Sequence, residues 1–144
     1  MDNTSRLWDV ETGEHVATLI GHESYVLALA VHGDRLFSIS YTDGTIRVWG
    51  LGTWAALRTV KVCGLGSVPH PRCLALSGSH LVSESWTHVR PRQGGLLVWS
   101  LETLELLHTL QLPTNSDDNA LEAVHGAVLA GVGADVVLWG RWTA

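Results

Sequence analysis

Apolar and polar residues alternate along short segments of this chain, which is the period-two pattern of β-strands that bury one face. The clearest segments are YVLALAV at residues 25–31 and RLFSIS at residues 35–40, separated only by His32, Gly33 and Asp34. Two such runs around a short polar turn predict an antiparallel hairpin. No segment shows a helical period over a useful length, so the pattern predicts an all-β protein.

The strand pattern recurs along the chain with a spacing of 40 to 50 residues. A tryptophan closes an apolar run four times, at Trp8, Trp49, Trp99 and Trp139. A turn and a second apolar run follow the first three of them, namely HVATLI at 15–20, ALRTV at 56–60 and ELLHTL at 105–110. With the hairpin that precedes Trp49, one period therefore holds four short antiparallel strands.

The repeat that ends at Trp49 also carries polar residues at fixed places, with Gly21-His22 at its start and Asp43-Gly44 in the turn before the tryptophan strand. This stretch resembles a WD40 repeat, and the chain is identified as a member of the WD40-repeat β-propeller family. The resemblance covers nearly the whole chain and is strongest from Thr4 to Val60. It implies a propeller of four-stranded antiparallel blades, of which about three and a half are present.

The resemblance divides the chain into four parts. Residues 1–20 are the third and fourth strands of one blade, and residues 21–60 form a repeat with the full signature. Residues 61–110 form a degenerate repeat with loop insertions, and residues 111–144 form a partial repeat. Because a propeller closes with about four to eight blades, we expect a portion of a larger propeller in a longer parent chain. Self-association and a partner that completes the propeller are the alternatives.

The resemblance also implies a buried hydrogen-bond relay of His22, Ser38, Asp43 and Trp49. Asp43 is expected to accept hydrogen bonds from His22 and from local backbone N–H groups. The Trp49 indole N–H is expected to donate to the Ser38 hydroxyl. Ser40 is the alternative to Ser38, since the turn carries one extra residue. The expected role is structural, not catalytic.

The later repeats keep the strand pattern and lose the acidic residue of the relay. No Asp lies in the turn before Trp99, and Asp135 lies too near Trp139. These blades are therefore expected to rely mainly on apolar packing.

The long connections of the chain all belong to one face of the predicted propeller, at residues 61–71, 86–95 and 111–119. Loops carry binding more often than the scaffold does, so we expect this loop-rich face to bind a partner. Solvated loops without a function are the alternative. The tentative partner-binding residues combine aromatic and cationic groups, as interface anchors do: Tyr25, Tyr41, Trp86, His88, Arg90 and Arg92. The alternative is that the aromatic residues only pack at the rim and that the arginines are solvated.

Charge and composition narrow the function classes. A net charge of −5 and a pI near 5.8 give no attraction to nucleic acid or an anionic membrane, and no apolar run is long enough for membrane insertion. Two cysteines are too few for a disulfide framework, which favours the cytoplasm, with nuclear or cytoskeletal association as alternatives. Neither a metal nor another cofactor is expected, because Cys63, His70, Cys73 and His80 lack the spacing of a compact zinc site.

The sequence therefore predicts a protein-interaction scaffold or adaptor, which binds other proteins through its loop-rich face within a larger propeller or multi-subunit assembly. The alternative is a propeller-fold enzyme that uses polar residues lining the central channel. We expect no enzymatic activity and assign no catalytic residue.

Overall fold

The computed structural model describes residues 3–62, 70–86, 94–111, 121–124, 127–132 and 135–140, with side chains for 3–62, 74–84 and 95–110. Thirteen antiparallel strands are found in these ranges, and the described residues between them form turns and irregular connections. The prediction of an all-β protein is confirmed. Each of the five runs given above agrees with an observed strand within one residue at each end.

The strands form four sheets, which we number as blades 1 to 4 in chain order. Blade 1 pairs β1 (Ser5–Trp8) with β2 (His15–Leu19). Blade 2 contains β3 (Val26–His32), β4 (Arg35–Ser40), β5 (Thr45–Gly50) and β6 (Ala56–Lys61) in that order. Blade 3 contains β7 (His70–Ser77), β8 (His80–Trp86), β9 (Gly94–Ser100) and β10 (Leu106–Gln111) in the same order. Blade 4 contains β11 (Leu121–Val124), β12 (Ala127–Val132) and β13 (Asp135–Gly140).

The hydrophobic core lies between the blades. The larger cluster joins blade 2 to blade 3, and its centre is formed by Phe37, Ile39, Ile46 and Val48 against Leu81, Leu97 and Trp99. A smaller cluster joins blade 1 to blade 2 through Leu19, Leu36 and Trp49, with Leu7, Leu51 and Trp54 packed around it. Burial of each large apolar side chain contributes about 1.5–3 kcal/mol. The stacking of blades, rather than any single sheet, therefore stabilises the fold.

The middle strands of blade 2 are buried on both faces because a blade lies on each side of them. Along β4, Leu36 contacts the cluster with blade 1, whereas Phe37 and Ile39 contact the cluster with blade 3. Strand β6, by contrast, is exposed along most of its length. This arrangement explains why RLFSIS contains apolar residues at adjacent positions as well as at alternate ones.

The turns between third and fourth strands share one geometry. Each contains a residue with positive φ five positions after the tryptophan, namely Gly13, Trp54 and Leu104. Leu104 is buried in the cluster between blades 2 and 3. Its turn is also held by two arginines of blade 2, since Arg35 donates to the Leu101 carbonyl at 3.4 Å and Arg58 donates to the Thr103 carbonyl at 2.6 Å. The turn of blade 3 therefore fixes this blade to blade 2.

Candidate interaction surface

Four side chains of blade 2 form a continuous hydrogen-bond relay that crosses the blade. The Trp49 indole N–H donates to Ser38 Oγ at 2.9 Å, and Ser38 Oγ lies 2.7 Å from His22 Nε2. His22 Nδ1 lies 2.9 Å from Asp43 Oδ2. The structure thus brings together all four residues that the resemblance assigned to the relay. Ser38 is fully buried, and Trp49 and His22 are almost so.

The carboxylate of Asp43 determines the direction of the hydrogen bonds. Because this group only accepts, His22 must donate to it from Nδ1, which leaves Nε2 as the acceptor for the Ser38 hydroxyl. Burial lowers the pKa of His22, and this effect outweighs the opposing contribution of Asp43. His22 is therefore a neutral link between Ser38 and Asp43.

Asp43 fixes the backbone of two neighbouring loops. Its carboxylate accepts from the backbone N–H groups of Glu23 at 3.0 Å and Thr45 at 2.9 Å, and from the Thr45 hydroxyl at 2.8 Å. Burial alone would raise the pKa of Asp43, but the hydrogen bonds from His22, Thr45 and Glu23 together lower it. Asp43 is therefore ionised at neutral pH, and it ties the connection before β3 to the turn after β4.

Ser38 rather than Ser40 completes the relay. Both hydroxyls are fully buried on β4, but Ser40 Oγ has no hydrogen-bond partner in the described part of the chain. The register explains the difference. Ser38 pairs with Arg47, two residues before Trp49, whereas Ser40 pairs with Val26 on the other neighbouring strand.

Blade 3 retains part of the relay in addition to the apolar packing that was expected of it. The Trp99 indole N–H donates to Ser83 Oγ at 3.0 Å, and Ser83 is fully buried. Sequence reasoning missed this serine because it looked for the acidic residue. The signal was available, since Ser83 is the fourth residue of β8, as Ser38 is of β4.

Tyr25 and Tyr41 lie together at the end of blade 2 where β3 begins and β4 ends, which we call the aromatic rim. The Tyr41 backbone N–H donates to the Tyr25 carbonyl at 2.9 Å, just beyond the paired ends of β3 and β4. The Tyr25 side chain is 50% exposed, and Tyr41 is half-buried. Asp43 holds the loops on both sides of this pair. The rim therefore presents an aromatic surface on a fixed backbone.

The backbone register places Trp86 in blade 3 where Tyr41 stands in blade 2. Trp86 pairs with His70 across β7 and β8, as Tyr41 is bonded to Tyr25. The side chain of Trp86 lies outside the described residues. His88, Arg90 and Arg92 lie outside them altogether.

No group of three or more His, Cys, Asp or Glu residues in the described ranges could hold a metal ion. The candidate ligands Cys63, Cys73 and His70 have side chains outside that part of the chain. No helix there is long and apolar enough to cross a membrane.

No protein-family model matches the chain. Over 81% of its length, the chain is 26% identical to TBC1 domain family member 31 of Bos taurus and 27% identical to THO complex subunit 6 of Arabidopsis thaliana. It covers only 10% and 31% of these two relatives. A shorter match of 52 residues is 46% identical to nuclear distribution protein PAC1 of Arthroderma otae, and it spans 35% of the chain and 11% of that relative.

The solved structure of U3-55K superposes on 97% of the chain with a TM-score of 0.71 and 24% identity, over 43% of its own length. This likeness shows the fold, in which the four sheets are successive blades of a propeller. Because the matches cover only part of each relative, the similarity applies to the blades and not to the whole relatives.

Proposed function

We propose, from the premise that the chain is built of WD40-type propeller blades, that it is a protein-interaction scaffold or adaptor. It binds a protein partner through the loop-rich face and works within a larger propeller or a multi-subunit assembly. The name of one relative, THO complex subunit 6, is that of a subunit of a complex. The proposed location is the cytoplasm, with nuclear or cytoskeletal association as alternatives.

The observation that carries this proposal is the aromatic rim of Tyr25 and Tyr41 on a backbone fixed by Asp43. Tyrosine contributes a large contact area and a polar hydroxyl at a low cost in conformational entropy, which suits it to protein interfaces. A fixed backbone reduces the ordering cost of binding. The cationic turn with Trp86, Arg90 and Arg92 belongs to the same face in our proposal.

The relay itself favours a scaffold over an enzyme. Ser38, His22 and Asp43 have the separations of a Ser-His-Asp triad, at 2.7 and 2.9 Å. However, Ser38 is fully buried and already accepts a hydrogen bond from Trp49. A substrate carbonyl cannot approach this hydroxyl without opening the blade, and nucleophilic catalysis requires such an approach.

A site-specific photocrosslinker tests which face is used. We would place a photoreactive phenylalanine analogue at Tyr25 and, as a matched control, at Leu57, which is 56% exposed on β6. The expected result is a discrete protein adduct from position 25 in cell extract and none from position 57. Unmodified chain should compete for this adduct, and the Tyr25→Ala/Tyr41→Ala variant should not. Equal labelling at both positions, or full competition by the variant, would contradict the proposal.

The cationic turn is tested separately. Replacing Trp86, Arg90 and Arg92 together by alanine should weaken partner capture without lowering the thermal midpoint. Unchanged capture would show that these three residues are not part of the partner-binding surface.

A further inference from the structure

Arg47 is a charged residue in the middle of β5, and it takes part in no ion pair within the described part of the chain. It pairs with Ser38 on β4 and with Thr59 on β6. Because Ser38 accepts a hydrogen bond from Trp49 on the same face, Arg47 lies on the face of blade 2 that contains the relay. A middle strand of this blade therefore carries a cation whose counter-charge is not among the described residues.

The guanidinium of Arg47 lies against the connection that leads from blade 1 to blade 2. A Cβ added at Gly21 would overlap Nη1 of Arg47 and would lie 3.3 Å from the Trp49 ring. Glycine at this position therefore lets the backbone approach the guanidinium closely. Burial is the main cause that lowers the pKa of His22, and the positive charge of Arg47 lowers it further. The charge is thus held beside residues 21–22.

The inner part of the guanidinium is buried without a hydrogen bond. Nε of Arg47 has no hydrogen-bond partner among the described residues and is closed to solvent, whereas the side chain as a whole is half-buried. The donors that stay open to a ligand are therefore those of the two terminal nitrogens. Buried polar groups of native proteins are nearly always paired, and buried charges in particular. This state of Arg47 points to a ligand that supplies the missing acceptors.

The charges around Arg47 favour a single carboxylate over a phosphate as that ligand. Lys61 lies on the same face, since it pairs with Thr45, two residues before Arg47 on β5. The carboxylates of Asp43 and Glu23 belong to the loops at the same end of the blade. Two anions thus offset the two cations, and a dianionic phosphate would gain little there. A planar carboxylate instead matches the guanidinium through two parallel N–H bonds.

Arg47 lies within reach of the aromatic rim. The connection passes the guanidinium at Gly21 and arrives at Tyr25 four residues later, and four residues span at most about 14 Å. An extended segment of four or five residues that follows this connection would therefore contact both Arg47 and Tyr25. The backbone between them is fixed, because Asp43 accepts from the Glu23 N–H at 3.0 Å.

We infer that Arg47 is the acid-binding residue of the partner surface, and that the partner presents an Asp or Glu carboxylate to its terminal nitrogens. The partner segment lies along residues 21–25 and places an apolar or aromatic side chain, four or five residues from this carboxylate, on Tyr25. The inference rests on the proposed function, in which the aromatic rim binds a protein partner, and it adds the chemistry of that partner. The charge selects the partner, and the tyrosines contribute contact area.

A peptide library tests the inference without knowledge of the natural partner. Random peptides of about twelve residues, which exceed the distance from Arg47 to Tyr25, would be displayed on phage and selected on the full chain. Binders that the Tyr25→Ala/Tyr41→Ala variant no longer retains would be kept. They are expected to share an Asp or Glu four or five residues from an apolar or aromatic residue. Selection on Arg47→Glu should instead enrich Lys or Arg at the acidic position.

A double-mutant cycle separates a direct ion pair from a structural role of Arg47. For one selected peptide, replacing the acidic residue by its amide should weaken binding to the parent chain about tenfold, and so should Arg47→Gln in the chain. The two changes together should weaken binding no further than either alone. Arg47→Gln also keeps the aliphatic stem, so the cycle remains decisive if Arg47→Glu does not fold.

Arg58→Gln is the matched control. It removes the same charge from blade 2, but Arg58 donates to the Thr103 carbonyl of blade 3 and does not face the relay. Peptide binding should be unchanged in this variant. Circular dichroism melting checks that both variants fold.

Three results would overturn the inference alone. They are tyrosine-dependent binders that share no acidic residue, peptide and chain substitutions whose effects add, and a free Arg47→Gln chain that is destabilised more at low salt than at high salt while Arg58→Gln is not. The last result would show that a carboxylate of this chain already pairs with Arg47. A library without any tyrosine-dependent binder would instead count against the proposed function, so the two failures are distinguishable.

Discussion

Replacing Ser38 by alanine should destabilise the chain more than the same change at Ser83, although both serines are fully buried at equivalent positions. In blade 3, Ser83 accepts one hydrogen bond, from Trp99. In blade 2, Ser38 accepts from Trp49 and also donates to His22 Nε2. The two substitutions remove the same atom and differ in how many buried groups they leave unsatisfied.

The magnitude follows from that count. A buried polar group that loses its partner costs about 1–3 kcal/mol. Ser83→Ala orphans the Trp99 indole N–H and should cost about 1–2 kcal/mol. Ser38→Ala orphans both the Trp49 indole N–H and His22 Nε2 and should cost about 2–4 kcal/mol. At about 4 °C per kcal/mol, Ser38→Ala should lower the thermal midpoint roughly twice as far as Ser83→Ala.

Urea denaturation followed by tryptophan fluorescence measures both variants, with circular dichroism as a second probe of two-state behaviour. A cycle with Trp49→Phe separates the two links, because this change removes the donor that Ser38→Ala orphans. In the Trp49→Phe background, Ser38→Ala should retain only the cost of orphaning His22. Equal destabilisation by the two serine substitutions would refute the reasoning, since the His22 link would then contribute nothing measurable.

Two further predictions concern protonation and backbone strain. Burial lowers the pKa of His22 below its ordinary value of 6.5, so below about pH 6.5 the unfolded chain binds a proton that the native chain resists. The thermal midpoint should therefore fall from pH 7 to pH 5, and His22→Asn should flatten this dependence. An unchanged pH dependence in the variant would contradict this role of His22. Leu104→Gly relieves a positive φ worth about 1 kcal/mol and loses a buried leucine worth about 2–5 kcal/mol. Urea denaturation should therefore show a net loss of about 1–4 kcal/mol. The matched control is Gly13→Ala, which adds a side chain in open space at the same turn position and should cost only the strain of about 1 kcal/mol. A Leu104→Gly variant that is more stable than the parent chain would show that strain outweighs packing.

The sequence by itself determined the strands and their grouping. Period-two alternation, short polar turns and the recurrent tryptophan act over a few residues, and these local signals gave strand ends within one residue of those observed. The resemblance of residues 21–60 to a WD40 repeat also assigned the four members of the relay. In each case the information lies within one repeat.

Only the tertiary structure decided the choices that depend on a neighbouring strand or blade. Ser38 and Ser40 are both buried on β4, and the pairing of Ser38 opposite Arg47 selects it as the acceptor for Trp49. Ser83 similarly becomes a partner for Trp99 through the register of β8 and β9. Val31 on β3 is 55% exposed, whereas Leu36, its partner on β4, is buried against blade 1. Alternation along a strand specifies that a face is apolar, but its burial is a property of what packs against it, and that is determined by contacts between residues far apart in sequence.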